Sequence, residues 1–223
     1  MSARYLMLEA ATDAGSVAVV ADDTVIASLE FGARDPATGA RTEMLGRAVQ
    51  QVLASASLTA RDLAGVICDS GPGSFTSLRC AAAIGKGICA ALNLPLYAVS
   101  SLELLALSAM PLERGAYVAV LDAGRGEWFA SDVEVSARGE IVVGAMRLVG
   151  DTALRAHVAG LDARVIGRGE AIDAVPRAAA VLPILARVLQ SGPVALEAWE
   201  PDYGRLAEAQ VRWEAQHGRP LVA

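Results

Sequence analysis

The sequence is poor in positive charge and in aromatic side chains. Lys and Arg number 19 against 25 Asp and Glu, giving a net charge of −6 and a pI of about 5.0, and aromatic residues make up 4% of the chain. The only lysine is Lys86, and the arginines form no basic cluster. A protein that grips RNA by its phosphates needs a basic face that releases counterions. The composition therefore argues against strong, direct RNA binding by this chain alone.

Cysteine and histidine are also scarce. The three cysteines, Cys68, Cys80 and Cys89, form no Cys-x-x-Cys pair and lie in apolar stretches. Such cysteines are typical of buried, reduced thiols in a cytosolic protein. The two histidines, His157 and His217, are far apart and have no cysteine at the spacing of a metal site. The sequence predicts neither a disulfide scaffold nor a bound metal.

Long apolar runs are missing as well. Glu9 and Asp13 interrupt the first apolar stretch, and we find no run of about 18 or more uncharged apolar residues. We therefore expect no cleavable signal, no membrane span and a cytoplasmic location. At 54% hydrophobic residues and a mean hydropathy of +0.41 the chain can still fill a core.

Two similar groups of strand-like runs organise the chain. The runs cover residues 5–8, 16–21 and 25–31 in the first group and 118–121, 128–135 and 141–148 in the second. In each group the first strand ends in a carboxylate, Glu9 or Asp122, followed by a turn that contains glycine. This weak internal repeat predicts two related lobes, residues 1–110 and residues 111–223 with the tail. A single mixed α/β sheet remains the alternative.

Helical periodicity predicts an amphipathic helix over residues 42–56 and a small-residue helix over about 74–92. The second contains Gly85 and Gly87, each costing around 1 kcal/mol relative to alanine. We therefore expect a neighbouring backbone to approach closely there. Residues 178–189 have the pattern of a final helix.

The most informative stretch is a glycine-containing turn between an apolar strand and the second helix, which we call the signature loop. Its residues are Gly71, Pro72, Gly73, Ser74, Phe75, Thr76 and Arg79. Gly71 and Gly73 permit a positive φ or a close approach, and Ser74 can cap the helix. Such a turn can bind an anion at a helix N-terminus, or it can simply join two elements.

The signature loop and several other segments resemble the TsaB (YeaZ) family. The matching segments are Gly71 to Arg79, Gly85-Lys86-Gly87, Leu92 to Pro95, Val99 to Leu102, Leu6 to Val19, Leu121 to Ala123 with Gly126-Glu127, and Glu200-Pro201 with Tyr203 and Arg205. The resemblance implies an α/β, two-lobed fold like that of actin, Hsp70 and sugar kinases. It also implies a non-catalytic partner of a paralogue that attaches a threonylcarbamoyl group to adenosine 37 of tRNA.

The resemblance further implies the partners and the surface that meets them. They are a TsaD-like transferase, a TsaE-like ATPase subunit, a second copy of the chain when it is alone, and tRNA only through the complex. In the family, the two helices over 42–56 and 74–92 pack against the same pair of another subunit. The implied interface residues are Met44, Leu45, Ala48, Val52, Leu78, Ala82 and Gly85. These residues could instead face the chain's own sheet.

Nucleotide binding is the other property that the superfamily suggests, with no intrinsic cofactor and ATP or ADP at a subunit interface. The candidate residues are Thr12, Asp122, Gly167 and Gly169. Three departures from the family argue against nucleotide contacts more than against the fold. They are Glu9 in place of Asp, Ser77 in place of glycine, and the lack of a histidine at Arg41-Thr42-Glu43. Glutamate is one methylene longer than aspartate, which displaces an oxygen that would bridge a metal.

The sequence thus favours a non-catalytic subunit of tRNA threonylcarbamoylation. The alternative is a small-molecule kinase or ATPase of the same superfamily, which would use Asp122 and Thr12. A metallopeptidase lacks its ligands, since the His-x-x-x-His pair of the paralogue has no counterpart here. Covalent hydrolysis at Ser74 or Thr76 lacks a histidine base.

Overall fold

The computed structural model describes residues 2–32, 42–205 and 216–218, and its strands form two mixed sheets. The strands of the first sheet are β1 (Arg4–Glu9), β2 (Gly15–Ala21), β3 (Thr24–Phe31), β4 (Gly65–Asp69) and β5 (Leu96–Val99). They lie in the order β3-β2-β1-β4-β5. The first three are antiparallel, whereas β4 runs parallel to β1 and β5 parallel to β4.

The second sheet repeats this plan. Its strands are β6 (Gly115–Gly124), β7 (Glu127–Val135), β8 (Ile141–Val143), β9 (Arg147–Gly150), β10 (Arg164–Gly167) and β11 (Ile172–Asp173). Their order is β11-β10-β6-β7-β8, with β9 also pairing with β7. The α/β class with a duplicated meander is therefore confirmed, and the single-sheet alternative is wrong.

The last strand of the second meander differs from its prediction. Instead of one strand over residues 141–148, the chain forms β8 and β9 and pairs both with β7. The break falls at Gly144, whose N–H donates to the Asp132 carbonyl at 2.8 Å. A glycine in a strand interior weakens the strand and often marks such an irregularity.

Five helices accompany the sheets in the described part of the chain. They are α1 (Thr42–Ser55), α2 (Phe75–Leu92), α3 (Ser101–Ser108), α4 (Asp151–Leu161) and α5 (Leu185–Gln190), with 3₁₀ segments at Ala60–Asp62 and Ala178–Ile184. Helices α1 and α2 confirm two predicted helices. The α-helix predicted over 178–189 is wrong in its first half, which is 3₁₀. Pro183 lies inside that half and has no N–H to donate to a helical carbonyl.

The helices sandwich the first sheet. One face, with Leu6, Leu8 and Val17, packs on α1 and α2. The other face packs on the 3₁₀ segment and α5 through the buried residues Met7, Ala18, Val20, Ile67, Val99, Leu104, Ala178, Val181, Leu185 and Val188. The chain therefore returns to the first sheet after completing the second. A lobe boundary near residue 110 stays a prediction.

The segment after α5 also lies against the first sheet. The Val194 N–H donates to the Leu96 carbonyl at 2.8 Å, which extends the contact along β5. Lys86 reaches from α2 to the Trp199 carbonyl at 2.8 Å. The chain's single lysine thus fixes the C-terminal segment to the partner-binding helix predicted from the sequence.

Helix α2 is, by length and composition alone, apolar enough to cross a membrane. This is weak support for a span, because the core helix of a soluble protein passes the same test. Here Leu78, Ala81 and Cys89 are fully buried on the inward side of the helix. The helix therefore serves as a core helix of the first sheet.

The two glycines of α2 have different surroundings. A Cβ on Gly85 would lie 2.4 Å from Cys68 Sγ, so this glycine lets the helix approach β4 closely. A Cβ on Gly87 would meet no atom within 4 Å. The expected close approach of a backbone is thus wrong at both glycines, because a side chain approaches Gly85 and nothing approaches Gly87.

Gly85→Ala should lower the free energy of unfolding by about 1–3 kcal/mol, because the added methyl forces the helix away from Cys68. Gly87→Ala is the matched control in the same helix. It should raise stability by up to about 1 kcal/mol, because alanine is the better helix former and has open space there. Urea unfolding of the two variants measures both effects. Equal destabilisation by both substitutions would contradict the close-packing account.

Candidate functional site

The glycines of the signature loop allow two close contacts between backbones. Gly71 has φ of 86°, and a Cβ there would lie 2.1 Å from the Asp202 carbonyl oxygen. A Cβ on Gly73 would lie 2.3 Å from the Ala11 carbonyl oxygen. The loop is thus pressed between the β1–β2 turn and the C-terminal segment. The sequence-based expectation of close approach is confirmed at both glycines.

Hydrogen bonds tie the same loop to its neighbours. The Ser74 N–H donates to the Ala11 carbonyl at 2.7 Å, and the Ser101 N–H at the start of α3 donates to the Gly71 carbonyl at 2.9 Å. Ser74 is the N-cap residue of α2 as predicted, yet its hydroxyl makes no capping bond and lies 3.0 Å from the Ser77 hydroxyl. Ser77, one of the departures from the family, therefore joins the loop's own hydrogen bonding.

The outward end of the loop forms an apolar surface. Phe75, Thr76 and Arg79 are exposed, with Phe75 at 41%. The Arg79 guanidinium lies over the Phe75 ring, 5.3 Å from its centroid. The centroids of the Tyr203 and Phe75 rings are 4.5 Å apart. These residues continue into a shallow groove of about 480 Å³ along α2. The groove is lined by Phe75, Thr76, Arg79, Cys80, Ala83 and Ile84.

A carboxylate ends β1 directly beneath the loop. Glu9 is completely buried, with Oε1 accepting from the Ala11 N–H at 2.8 Å and Oε2 from the Ser16 hydroxyl at 2.9 Å. The Ser16 hydroxyl oxygen in turn accepts from the Ala178 N–H at 2.8 Å. Burial, and secondarily the nearby Asp69, raise the pKa of Glu9 well above its ordinary value. Glu9 therefore has a structural role inside the protein.

A second buried carboxylate, Asp69, was not singled out by the sequence analysis. It ends β4 and accepts from the Gly71 N–H at 2.8 Å and from the Ser101 hydroxyl. Burial raises its pKa to about 6, and burial likewise raises the pKa of the neighbouring Cys68 thiol. The signal that could have found Asp69 is its position at the end of an apolar strand, like that of Glu9.

The candidate nucleotide residues lie along one edge of the molecule. Gly167 ends β10, which runs parallel to β6, the strand that carries Asp122. The β1–β2 turn, which contains Thr12, meets the Gly167–Gly169 turn through an ion pair of Arg168 with Asp13 at 2.7 Å. The structure thus brings both turns together near the end of β6.

The polar groups of these candidates bond within their own turns. Asp122 Oδ1 accepts from the Gly124 N–H at 2.7 Å, the Gly169 N–H donates to Asp173 Oδ1 at 2.8 Å, and the Thr12 hydroxyl donates to the Ala14 carbonyl at 2.8 Å. Among the described residues, no group of three or more His, Cys, Asp or Glu side chains could hold a metal ion. Nucleotide binding by these residues stays a prediction.

The interface candidates require a correction. Leu45, Ala48, Val52, Leu78 and Ala82 are at most 6% exposed, and Gly85 is buried against Cys68. They are buried within the chain, so they hold the helices in place and contribute little contact area to a partner. Met44 alone is half-buried. The departure at Arg41-Thr42-Glu43 lies outside the described residues and side chains.

Comparisons with known proteins identify relatives over nearly the whole chain. The family model of TsaD, tRNA N6-adenosine threonylcarbamoyltransferase, matches residues 36–157, more than half of the chain. The tRNA threonylcarbamoyladenosine biosynthesis protein TsaB of Escherichia coli is 28% identical, over 97% of this chain and 99% of its own length. The transferase of Paracoccus denitrificans is 32% identical, over 46% of this chain and 32% of its own length.

A solved structure supports the same fold. A Pseudomonas aeruginosa protein described as similar to the peptidase YeaZ has a TM-score of 0.72 and 23% identity, covering 91% of this chain and 100% of its own. A structure of YeaZ from the same organism has a TM-score of 0.70. At this identity the likeness establishes the fold, and it agrees with the class predicted from the sequence.

Gly71→Ala should detach the C-terminal segment from the loop, because the methyl would overlap the Asp202 carbonyl and the left-handed backbone disfavours alanine. Gly124→Ala is the matched control, since its φ is 75° and a Cβ there would meet nothing within 4 Å. The control should lower the free energy of unfolding by roughly 1 kcal/mol, and Gly71→Ala should lower it by at least about 2 kcal/mol more. Denaturant unfolding gives both values. Equal costs would mean that the contact with Asp202 contributes nothing.

Proposed function

This chain belongs to the TsaB (YeaZ) family, and we propose that it serves tRNA threonylcarbamoyladenosine biosynthesis as a non-catalytic subunit. In this proposal it stabilises a TsaD-type transferase, and the transferase modifies adenosine 37 of tRNA. The observation that carries the proposal is the similarity to TsaB along nearly the full length of both chains. The negative net charge supports tRNA contact through the complex rather than through this chain alone.

The similarity to the transferase itself supports a paired assembly. Because part of this chain resembles part of the transferase, the two proteins can present equivalent faces to each other. A second copy of this chain can present the same face, so a homodimer and a mixed complex would compete by mass action. The abundance of the transferase then decides which one forms.

The outward face of α2 is the surface we assign to this pairing. It is apolar around Ala83 and Ile84, and it carries an exposed phenylalanine beside an arginine. Aromatic residues and arginine are enriched at protein interfaces, where they supply much of the binding energy. The buried residues beneath, such as Leu78, hold this face in position.

The chemistry of the strand ends supports a role without catalysis. A superfamily kinase needs an accessible carboxylate at the end of the first strand, whereas Glu9 is enclosed and bonded to Ala11 and Ser16. The proposal also includes a TsaE-like ATPase subunit as a further partner and a cytoplasmic location. It further includes ATP or ADP held at a subunit interface. A nucleotide there would need groups from the partner, since the described turns satisfy many of their own donors.

Ala83→Glu should abolish the mixed complex, because it places a charge in the middle of the apolar groove and leaves the core untouched. Light scattering of the chain with the transferase paralogue should then show two separate species. Ala156→Glu, on the exposed side of α4, is the control and should leave the complex intact. The proposal fails if Ala83→Glu binds as well as the unaltered chain. It also fails if the purified chain transfers threonylcarbamoyl to tRNA by itself.

A small-molecule kinase or ATPase remains a second candidate, because the turns bearing Thr12, Gly167 and Gly169 meet at one edge. It requires Asp122, whose exposed carboxylate stands at the end of β6. Under the proposed function, Asp122→Ala should leave phosphate release by the purified chain at the level of the unaltered protein. A loss of at least about 100-fold would favour the kinase instead. Thr24→Ala, at the exposed first residue of β3, serves as the control.

A further inference from the structure

Glu9 and Asp69 end two neighbouring parallel strands. In the register of β1 with β4, Leu8 lies beside Cys68. The next residues of the two strands, Glu9 and Asp69, are therefore also neighbours. Both side chains are 0% exposed. The two acids therefore share one dry region beneath the signature loop.

The hydrogen bonds of this pair leave one oxygen unaccounted for. Both oxygens of Glu9 accept a bond, from the Ala11 N–H and the Ser16 hydroxyl. Asp69 Oδ1 accepts from the Gly71 N–H and the Ser101 hydroxyl. Asp69 Oδ2 is buried and has no hydrogen-bond partner of good geometry among the described residues, although the Ala10 N–H lies near enough to the Asp69 carboxyl group to lower its pKa. A buried polar atom in this state costs stability unless a further group satisfies it.

The charges around the pair do not supply that group. Glu30 is the other acid that acts on Glu9, and its carboxylate pairs with Arg177 at 3.3 Å at the surface. Asp13, on the turn after β1, pairs with Arg168. Cys68 contributes an un-ionised thiol, because burial raises its pKa. In the described part of the chain, the hydrogen bonds and ion pairs recorded for the two carboxyl groups involve no arginine or lysine.

We propose that Glu9 and Asp69 form a proton-binding site that holds one proton near neutral pH, shared between Asp69 Oδ2 and a Glu9 carboxylate oxygen. Each Glu9 oxygen accepts one bond already and has a second lone pair for this one. The proton satisfies the orphaned oxygen and reduces two buried negative charges to one. When two carboxylates share a site, the charge of one strongly raises the pKa of the other.

This site links one proton to four segments of the chain. Glu9 holds the β1–β2 turn through Ala11 and the 3₁₀ segment through Ser16, while Asp69 holds the signature loop and the start of α3. Loss of the proton places two charges in the dry junction that joins these segments. Alkaline pH should therefore loosen the signature loop and the base of α2 together.

The direction of the pH effect follows from proton binding. Burial raises the pKa of both acids, that of Asp69 to about 6, so the native state binds more protons than the unfolded chain. The stabilisation is fully present below the ordinary carboxyl pKa of about 4 and is lost as pH rises through about 6 and above. The urea midpoint of the unaltered protein should consequently begin to fall at about pH 4 and continue to fall as the pH rises through about 6.

Asp69→Asn tests the site directly, because the amide N–H₂ can take the place of the proton while the amide oxygen keeps the bonds from Gly71 and Ser101. The unaltered protein should show the infrared band of a protonated carboxyl group near neutral pH. Asp69→Asn should lack this band and should lose most of the fall in urea midpoint with pH. Asp202→Asn is the matched control, since Asp202 Oδ1 also accepts from the N–H two residues on, at 2.8 Å, but is exposed. It should keep both the band and the pH dependence.

Glu9→Gln gives a second reading if Asp69→Asn does not fold, since the glutamine amide can donate to Asp69 Oδ2. It should also remove the band. A band that is absent from the unaltered protein near neutral pH overturns the proposal whatever the variants do. A band that survives in a folded Asp69→Asn or Glu9→Gln protein overturns it as well.

Discussion

The dry junction beneath the signature loop is the contact on which the rest of the molecule depends. There, the β1–β2 turn, the loop, the start of α3 and the returning C-terminal segment meet through backbone contacts and two buried acids. Glycine is required where backbones touch, and the acids satisfy amide and hydroxyl donors that have no access to water. The outward face of α2 begins at this junction. Its orientation is therefore set by interactions that no partner supplies.

The internal repeat shows how far the two halves have diverged. In both, a carboxylate near the end of the first strand accepts from the N–H two residues later, as Glu9 does from Ala11 and Asp122 from Gly124. In the first sheet this carboxylate is completely buried, whereas Asp122 is exposed. The same local geometry thus serves packing in one half and stays open to solvent in the other. This asymmetry agrees with a protein whose proposed role lies in its first-sheet helices.

Local patterns predicted most of the elements, and long-range contacts account for what they missed. The meanders and the first two helices follow from periodicity within a few residues. Amphipathicity identified the apolar stripe of α1 and α2 but could not tell whether it faces the chain's own core or a partner. The structure buries Leu45 and Leu78 within the chain. Asp69 was missed because its significance comes from Glu9, which is distant in sequence and adjacent only across the β1–β4 register. The 3₁₀ segment follows from Pro183, whose missing N–H outweighs an apolar periodicity.

The return of the chain to the first sheet has a consequence for protein synthesis. The face of that sheet with Met7, Val20 and Ile67 is covered by residues 178–190. Chains emerge from the ribosome N-terminus first, at about 5–20 residues per second. The earliest strands must therefore wait, with one apolar side open, until residues 178–190 have been translated. The sheet that is made first is finished last, and during that interval it is a natural client for a ribosome-associated chaperone.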